Sequence, residues 1–307
     1  TNAIIDTVSY NKGSLLFKSV YEHMNGFNKN NEYGVASGDN PFEEGELWLR
    51  TYTNKAKQQQ TSKMQGFNLD SNGGMIALEK KIEDKFTLGG GFHYDNTNVS
   101  AVDRKFDVET KTGFVYGEYK PNNWFVEGTA AYDRANYKER KYVFGNVYNA
   151  EYNTDVYSVQ GVTGYDFKAD NTKITPDAGM RYYSINRHGY TDTAEQHVSG
   201  KSMDILTLIA GIKFQKEIKR HNDIFVPDIS LHLTYDAISD IDSAKVSLKN
   251  GAVYNVYGSR LNRFGVEMDA GFKVEINDKF SVRLSYLGRY REYYQDHTGI
   301  VDFKYKF

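Results

Sequence analysis

Residues 263–276 read RFGVEMDAGFKVEI. Phe264, Val266, Met268, Ala270, Phe272, Val274 and Ile276 fall on one parity, and Arg263, Glu267, Asp269, Lys273 and Glu275 on the other. A period of two held this long predicts a β-strand, because successive strand side chains point to opposite faces while a helix repeats every 3.6 residues. The next segment, KFSVRLSYLGRYR at 279–291, does the same, with Phe280, Val282, Leu284, Tyr286 and Tyr290 against Arg283, Arg289 and Arg291. A soluble strand of about 5–6 residues does not need such length, whereas a tilted membrane strand needs about 9–11.

Toward the N-terminus the alternation recurs. One face carries Ile229, Leu231, Leu233 and Tyr235; then Leu206, Leu208, Ala210, Ile212 and Phe214; then Ile174, Ala178, Met180 and Tyr182; then Tyr157, Val159, Thr163, Tyr165 and Phe167. Earlier still come Trp124, Val126, Ala130 and Tyr132, opposite Glu127 and Asp133, and Phe86, Leu88, Phe92 and Tyr94. Weaker segments lie at 46–53, 65–81 and 106–120. GIVDFKYKF at 299–307 closes the chain, with Val301, Phe303, Tyr305 and Phe307 on one face and Asp302, Lys304 and Lys306 on the other. The count is about twelve, an even number, as in single-chain bacterial outer-membrane barrels. The predicted fold is all-β: an antiparallel transmembrane β-barrel whose last strand pairs with 46–53 and with 279–291, so that no edge is left.

The connections alternate in length. Five short turns at 83–85, 120–123, 168–172, 219–223 and 277–279 alternate with long polar stretches near 54–63, 96–105, 136–153, 187–202, 237–259 and 292–297. Barrels with short turns at one rim and long loops at the other have this pattern. Phe86, Tyr119, Trp124, Phe167, Phe225 and Phe280 flank the short turns, as an interfacial girdle does. Pro176 and Pro227 each stand near the start of a strand, where a missing N–H is tolerated.

Composition agrees. Of 307 residues, 25% are charged and 15% aromatic, with 25 Tyr, 18 Phe, 27 Gly, 4 Pro and no Cys. A net charge of -2 gives no broad basic surface for nucleic acid. No run of about 18 apolar residues predicts a membrane helix. No signal peptide is visible, and the start at Thr1 reads as a fragment of a longer precursor.

The N-terminal residues have another period. In GSLLFKSVYEHMNGF, Leu16, Val20 and Met24 share a stripe beside Phe17 and Tyr21. This predicts a helix over about 14–25, with Ser14 as N-cap and Asn25-Gly26 as stop. It nearly doubles if it continues back through Gly13 to Ile4, Ile5 and Val8, but glycine weakens a helix interior. The domains expected are a pore helix and linker over 1–30, a connecting segment over 31–45 and a barrel over 46–307.

The helix, the strand entries TPDAGMRYY and VPDISLHLTY, and the terminal VDFKYKF resemble the translocator domain of type Va autotransporters. That resemblance covers nearly the whole chain. It implies a barrel in the outer membrane of a Gram-negative bacterium, with long loops extracellular and both barrel termini periplasmic. It implies a monomeric barrel whose partners are outer-membrane lipid and lipopolysaccharide, its own exported N-terminal passenger, periplasmic chaperones and the barrel-assembly machinery. The last of these would recognise the terminal strand through Val301, Phe303, Tyr305 and Phe307. The other reading is a diffusion porin or a loop-mediated adhesin, which predicts an inward-folded loop and no pore helix.

Glu46, Arg50, Glu79, Glu118, Glu127, Asp133, Asp177, Arg181, Glu267, Asp269, Lys273, Arg283 and Arg289 are expected to face the lumen. The bland reading is a generic hydrated wall. The sharper reading is that some of them clamp Lys12, Lys18, Glu22 and His23 of the helix. Some autotransporters that the chain resembles cut their own pore helix at Asn or Asp, helped by acidic wall residues; Asn11 and Asn25 are candidates here, and a helix boundary and a C-cap are the plainer roles. No G-x-S-x-G or H-x-x-x-H motif or Cys cluster points to an enzyme, metal or cofactor. His93, His188, His197 and His232 read as wall or loop residues, and GGGFH at 89–93 lies in strand register rather than in a phosphate loop.

Overall fold

The computed structural model describes residues 2–26, 45–62, 64–83, 85–220, 223–240, 243–258, 261–276 and 279–307. The connecting segment expected over 31–45, apart from Gly45, lies outside these, as do the centres of three short turns. The chain forms one helix, α1 (Asn2–Met24), and a closed barrel of twelve strands. These are β1 (Gly45–Gln58), β2 (Phe67–Ile82), β3 (Phe86–Ala101), β4 (Arg104–Tyr119), β5 (Trp124–Val143), β6 (Asn146–Tyr165), β7 (Thr172–Arg187), β8 (Lys201–Lys216), β9 (Asp223–Ser239), β10 (Phe264–Ile276), β11 (Phe280–Arg291) and β12 (Tyr294–Lys306). Each pairs antiparallel with its sequence neighbours. β1 closes on β12 from Glu46↔Lys306 to Gln58↔Tyr294. The ladders thus close on themselves with no free sheet edge, as lipid requires.

The outward face matches the predicted parity. Phe86, Leu88, Phe92, Tyr94, Trp124, Val126, Tyr132, Leu231, Leu233, Phe272 and Leu284 are all exposed. From Trp124 to Tyr132 the strand rises about 27 Å at roughly 3.3 Å per residue, or about 20 Å after tilt, close to the apolar band of such barrels. Aromatics ring both ends of this band. At the short-turn rim Phe86 stacks on Tyr119 and Tyr305 meets Phe307. At the other, Tyr94, Tyr132, Tyr157, Tyr182, Tyr235 and Tyr286 are exposed.

Three predicted long loops are corrected. The stretches 96–105, 136–153 and 292–297 are strand, closed by two-residue turns at 102–103, 144–145 and 292–293. Phe144 and Gly145 both have positive φ, the turn whose twist suits a hairpin. Past the tyrosine girdle the polarity of the wall inverts. Arg134, Asn136, Lys138 and Arg140 now point outward, while Ala135, Tyr137 and Glu139 are buried. The strands therefore continue as a water-soluble barrel, apolar inside and polar outside. Of the other three, 54–63 is strand as far as Gln58, and 187–202 and 237–259 hold a small sheet of Tyr190–Thr191, His197–Val198, Ser243–Ser247 and Val253–Tyr257.

The helix is also longer than its stripe predicted. It starts at Asn2, and 23 residues at about 1.5 Å each give about 35 Å, enough to thread the bilayer. Ser14 is therefore interior rather than an N-cap. Gly13 does not break the helix, because it serves as a contact: a Cβ there would lie 2.4 Å from Cε1 of Tyr183. The stop is where expected. Asn25 donates its backbone N–H and its side-chain amide to the Tyr21 carbonyl, and the helix ends.

Candidate functional site

The helix stands inside the barrel and is buried over nearly its whole length. Its first turns, with Ile4, Ile5 and Val8, pack in the apolar collar of the strand extensions against Val99, Phe106, Val108, Tyr137 and Tyr152. Lower down, Leu16, Val20 and Met24 meet Trp48, Met75, Ala77 and Phe114. Phe17 packs on Tyr183 and Ile185, and Tyr21 on Phe125 and Val162. The five helix residues predicted as one site thus touch three sides of the wall.

Between these contacts every level of the helix carries a polar link. Tyr10 accepts a hydrogen bond from Arg291 at 2.6 Å. Lys12 reaches Ser71 at 2.6 Å and Asp95 at 2.9 Å. Ser14 donates to Glu267 and accepts from Arg181, each at 3.0 Å. Lys18 meets Ser230 at 2.9 Å, His232 at 3.1 Å and, within the helix, Glu22 at 2.9 Å. Tyr21 donates to Asp177 at 2.7 Å. Glu22 is bound closely by Lys213. His23 sits 2.9 Å from Glu79 and 3.3 Å from Glu46, stacked on Trp48. Asn25 donates to Glu127 at 3.1 Å, and Lys173 caps the helix end on the carbonyls of Asn25 and Gly26 at 3.3 and 3.1 Å. This last arrangement sets a cation on the negative end of the helix dipole.

The residues predicted for the lumen divide into groups. Glu79, Glu127, Asp177, Arg181, Glu267 and Arg289 touch the helix directly. Arg283 lies 3.8 Å from Glu22 and holds Asp228 and Asp269, its guanidinium lying flat over Gly271, where a Cβ would be 2.3 Å away. Arg50 pairs with Asp302 and Asp133 accepts from Thr112, both within the wall. Lys273 pairs with Glu275 at 2.5 Å beside the helix end, and Glu118 is buried. Lys173, Lys213, Asp95, Ser230, Asp296 and the helix-facing role of His232 were missed. Their signal was present, since each stands on the inward parity of its strand.

Asn11, expected at a helix boundary, is mid-helix and enclosed. Its side-chain amide donates to Asp296 and, at 3.1 Å, to Tyr294. Its main-chain carbonyl accepts from Arg289 at 2.8 Å, and Arg289 in turn holds Asp296 at 2.7 Å.

Against known proteins, the family model described as "Autotransporter beta-domain" matches residues 47–287. This chain belongs to the autotransporter beta-domain family. The chain is 25% identical over 237 residues to outer membrane protein A of Rickettsia rickettsii, covering 69% of this chain and 10% of that protein. It therefore spans about a tenth of that relative's length. Among solved structures, the translocator domain of autotransporter NalP from Neisseria meningitidis superposes with a TM-score of 0.78 at 11% identity, over 100% of this chain and 99% of that one. The beta domain of the Bordetella autotransporter BrkA gives 0.68 at 15% identity, over 86% of this chain and 100% of that one. At these identities the likeness is one of fold. As an autotransporter translocator barrel this is an outer-membrane domain. Its lumen is filled by a helix, where the porin reading needs an inward-folded loop.

Proposed function

We propose that the barrel exports a passenger joined upstream of its helix, and that the helix then stays as a plug anchoring what it carried. One observation carries this. The helix enters at the rim of the long hairpins, among Val99, Phe106 and Tyr152, and ends at the opposite rim, where β1 begins and Phe307 bonds Gly45. Asn2 therefore lies at the rim opposite both barrel termini. In this reading the long hairpins are extracellular, both barrel termini are periplasmic, and 1–30, 31–45 and 46–307 are linker-helix, connector and barrel. The strand ending in Val301, Phe303, Tyr305 and Phe307 addresses the barrel-assembly machinery, and lipid and lipopolysaccharide coat the apolar band. Deleting residues 2–26 should raise conductance in planar bilayers, with the deleted barrel still heat-modifiable on gels. Unchanged conductance in such a folded barrel refutes the plug.

The surroundings of Asn11 favour a second reading, in which the helix is cut. The Asn11 side-chain nitrogen attacks its own main-chain carbonyl carbon, and Asp296 takes the amide proton and returns it to the departing Lys12 amine. Arg289 stabilises the oxyanion. The Asn11–Lys12 bond breaks as the imide ring closes, with no net gain or loss of atoms. Intact-mass analysis should find a fragment starting at Lys12 that is absent from Asn11→Gln. A full-length chain after prolonged incubation in the folded barrel excludes the cut.

A further inference from the structure

Among the described residues, two groups of ligand-type side chains converge inside this barrel. Glu22, Asp228 and Asp269 form one, and Lys213 and Arg283 already fill its centre. The other is His23 from the helix, Glu46 from β1 and Glu79 from β2. We propose that this second group is a divalent-metal site of zinc type that fastens the helix end to the first hairpin of the wall.

The geometry supports it first. Bonds of about 2.0–2.2 Å at tetrahedral angles place ligand atoms about 3.3–3.6 Å apart. His23 Nε2 lies 2.9 Å from Glu79 Oε2 and 3.3 Å from Glu46 Oε1, so an ion between them would spread the first pair by only a few tenths of an ångström. The three side chains are almost wholly enclosed, at 8%, 10% and 5% exposure. Glu46 Oε1 is buried, and among the described residues its charge faces Lys304 and His23.

An outer shell is also in place. Tyr116 donates to Glu79 Oε2 at 2.9 Å and accepts from Trp48 Nε1 at 2.8 Å, while the Trp48 ring stacks on His23 with centroids 4.7 Å apart. Such partners fix the orientation of metal ligands. A cavity of about 60 Å³ lined by His23, Trp48 and Lys304 lies alongside, leaving room for a bound water and a path for the ion. The competitor is Lys304. It stands on the last strand, three residues from the end of the chain, and its side chain is 20% exposed, so its ammonium can swing to water as an ion enters. One imidazole with two carboxylates suits zinc and its neighbours better than magnesium or calcium, which prefer oxygen alone.

The test uses the full chain refolded in detergent, with Trp124→Phe so that Trp48 is the one remaining tryptophan. Titration with zinc chloride alone should change Trp48 emission saturably at one equivalent and raise the thermal unfolding midpoint. Magnesium at the same concentration should do neither. His23→Gln and Glu79→Gln should lose both responses while remaining heat-modifiable. Lys304→Ala should bind zinc more tightly, a gain that misfolding does not produce. No zinc response in the parent, an equal response in folded His23→Gln, or weaker binding by Lys304→Ala overturns the site.

Discussion

Gly13→Ala sets two known effects against each other. In an isolated helix, alanine in place of glycine gains about 1 kcal/mol. In the barrel the added Cβ falls 2.4 Å from Cε1 of Tyr183, far inside van der Waals contact. Tyr183 is fully buried, with Tyr10 and Phe17 rings 5.5 and 5.8 Å from it, so its ring has nowhere easy to go. Overpacking of that kind costs about 1–3 kcal/mol. The net is about 0–2 kcal/mol against the plugged state, and its midpoint is roughly a fivefold rise in the open-to-plugged ratio. Single-channel recording in planar bilayers measures that ratio.

The sign is checked by a second background. Tyr183→Leu removes the ring edge that the new methyl meets. There, Gly13→Ala should keep only its propensity gain and make openings rarer, again by about fivefold. If the substitution shifts openings in the same direction in both backgrounds, the close contact at Gly13 is not what governs the helix.

Arg181→Met strips buried Glu267 of its paired guanidinium, leaving the Ser14 hydrogen bond and its cross-strand neighbour Arg289, and should lower stability by up to about 3–5 kcal/mol in urea titrations; Arg181→Met with Glu267→Leu should recover most of this. At the β3–β4 tip, outside the membrane band, hydrogen bonds from Arg104, then Gln65, hold the Asp103 carboxyl well below its ordinary range. A depressed carboxyl contributes stability that is full above its unfolded value and is lost as pH falls through the lower folded value. Amide protection at the tip, corrected for intrinsic exchange, should therefore hold from pH 7 to about pH 4 and fall only in stronger acid. Deleting Phe307 should reduce the folded fraction in cells while leaving detergent refolding nearly unchanged; equal losses in both would make its role purely structural.

The alternation in residues 263–291 gives strand and membrane, and closure follows from the even strand count and the pairing of the last strand with 46–53. It worked because lipid imposes one polarity on one face without exception. The inward face is legible only by subtraction, as with Lys213 between Ile212 and Phe214, and the partner of such a lysine is not legible at all. Lys213 meets Glu22 from 191 residues away. Arg181 and Glu267, 86 apart, are joined only by the curvature of the closed wall. The three hairpin tips mistaken for loops failed for a different reason. Beyond the girdle the outward face is polar, so Asn136, Lys138 and Arg140 read as loop although the period of two continues through them.

The same inversion explains why half of the helix was hidden. An amphipathic stripe is a record of one apolar and one wet side, and this helix has neither. Its upper part, with Ile4, Ile5 and Val8, faces the apolar collar, whereas its lower part faces charged residues interspersed with aromatics on every side. The apolar direction is thus different at each level, and a single stripe captures only the level of Leu16, Val20 and Met24. A helix fitted to its wall level by level is also hard to slide. Moving it one turn, about 5.4 Å, would take Lys12 from Asp95, Ser14 from Glu267 and Tyr21 from Asp177 together. Sequence features that made the helix hard to recognise are therefore those that hold it in one register.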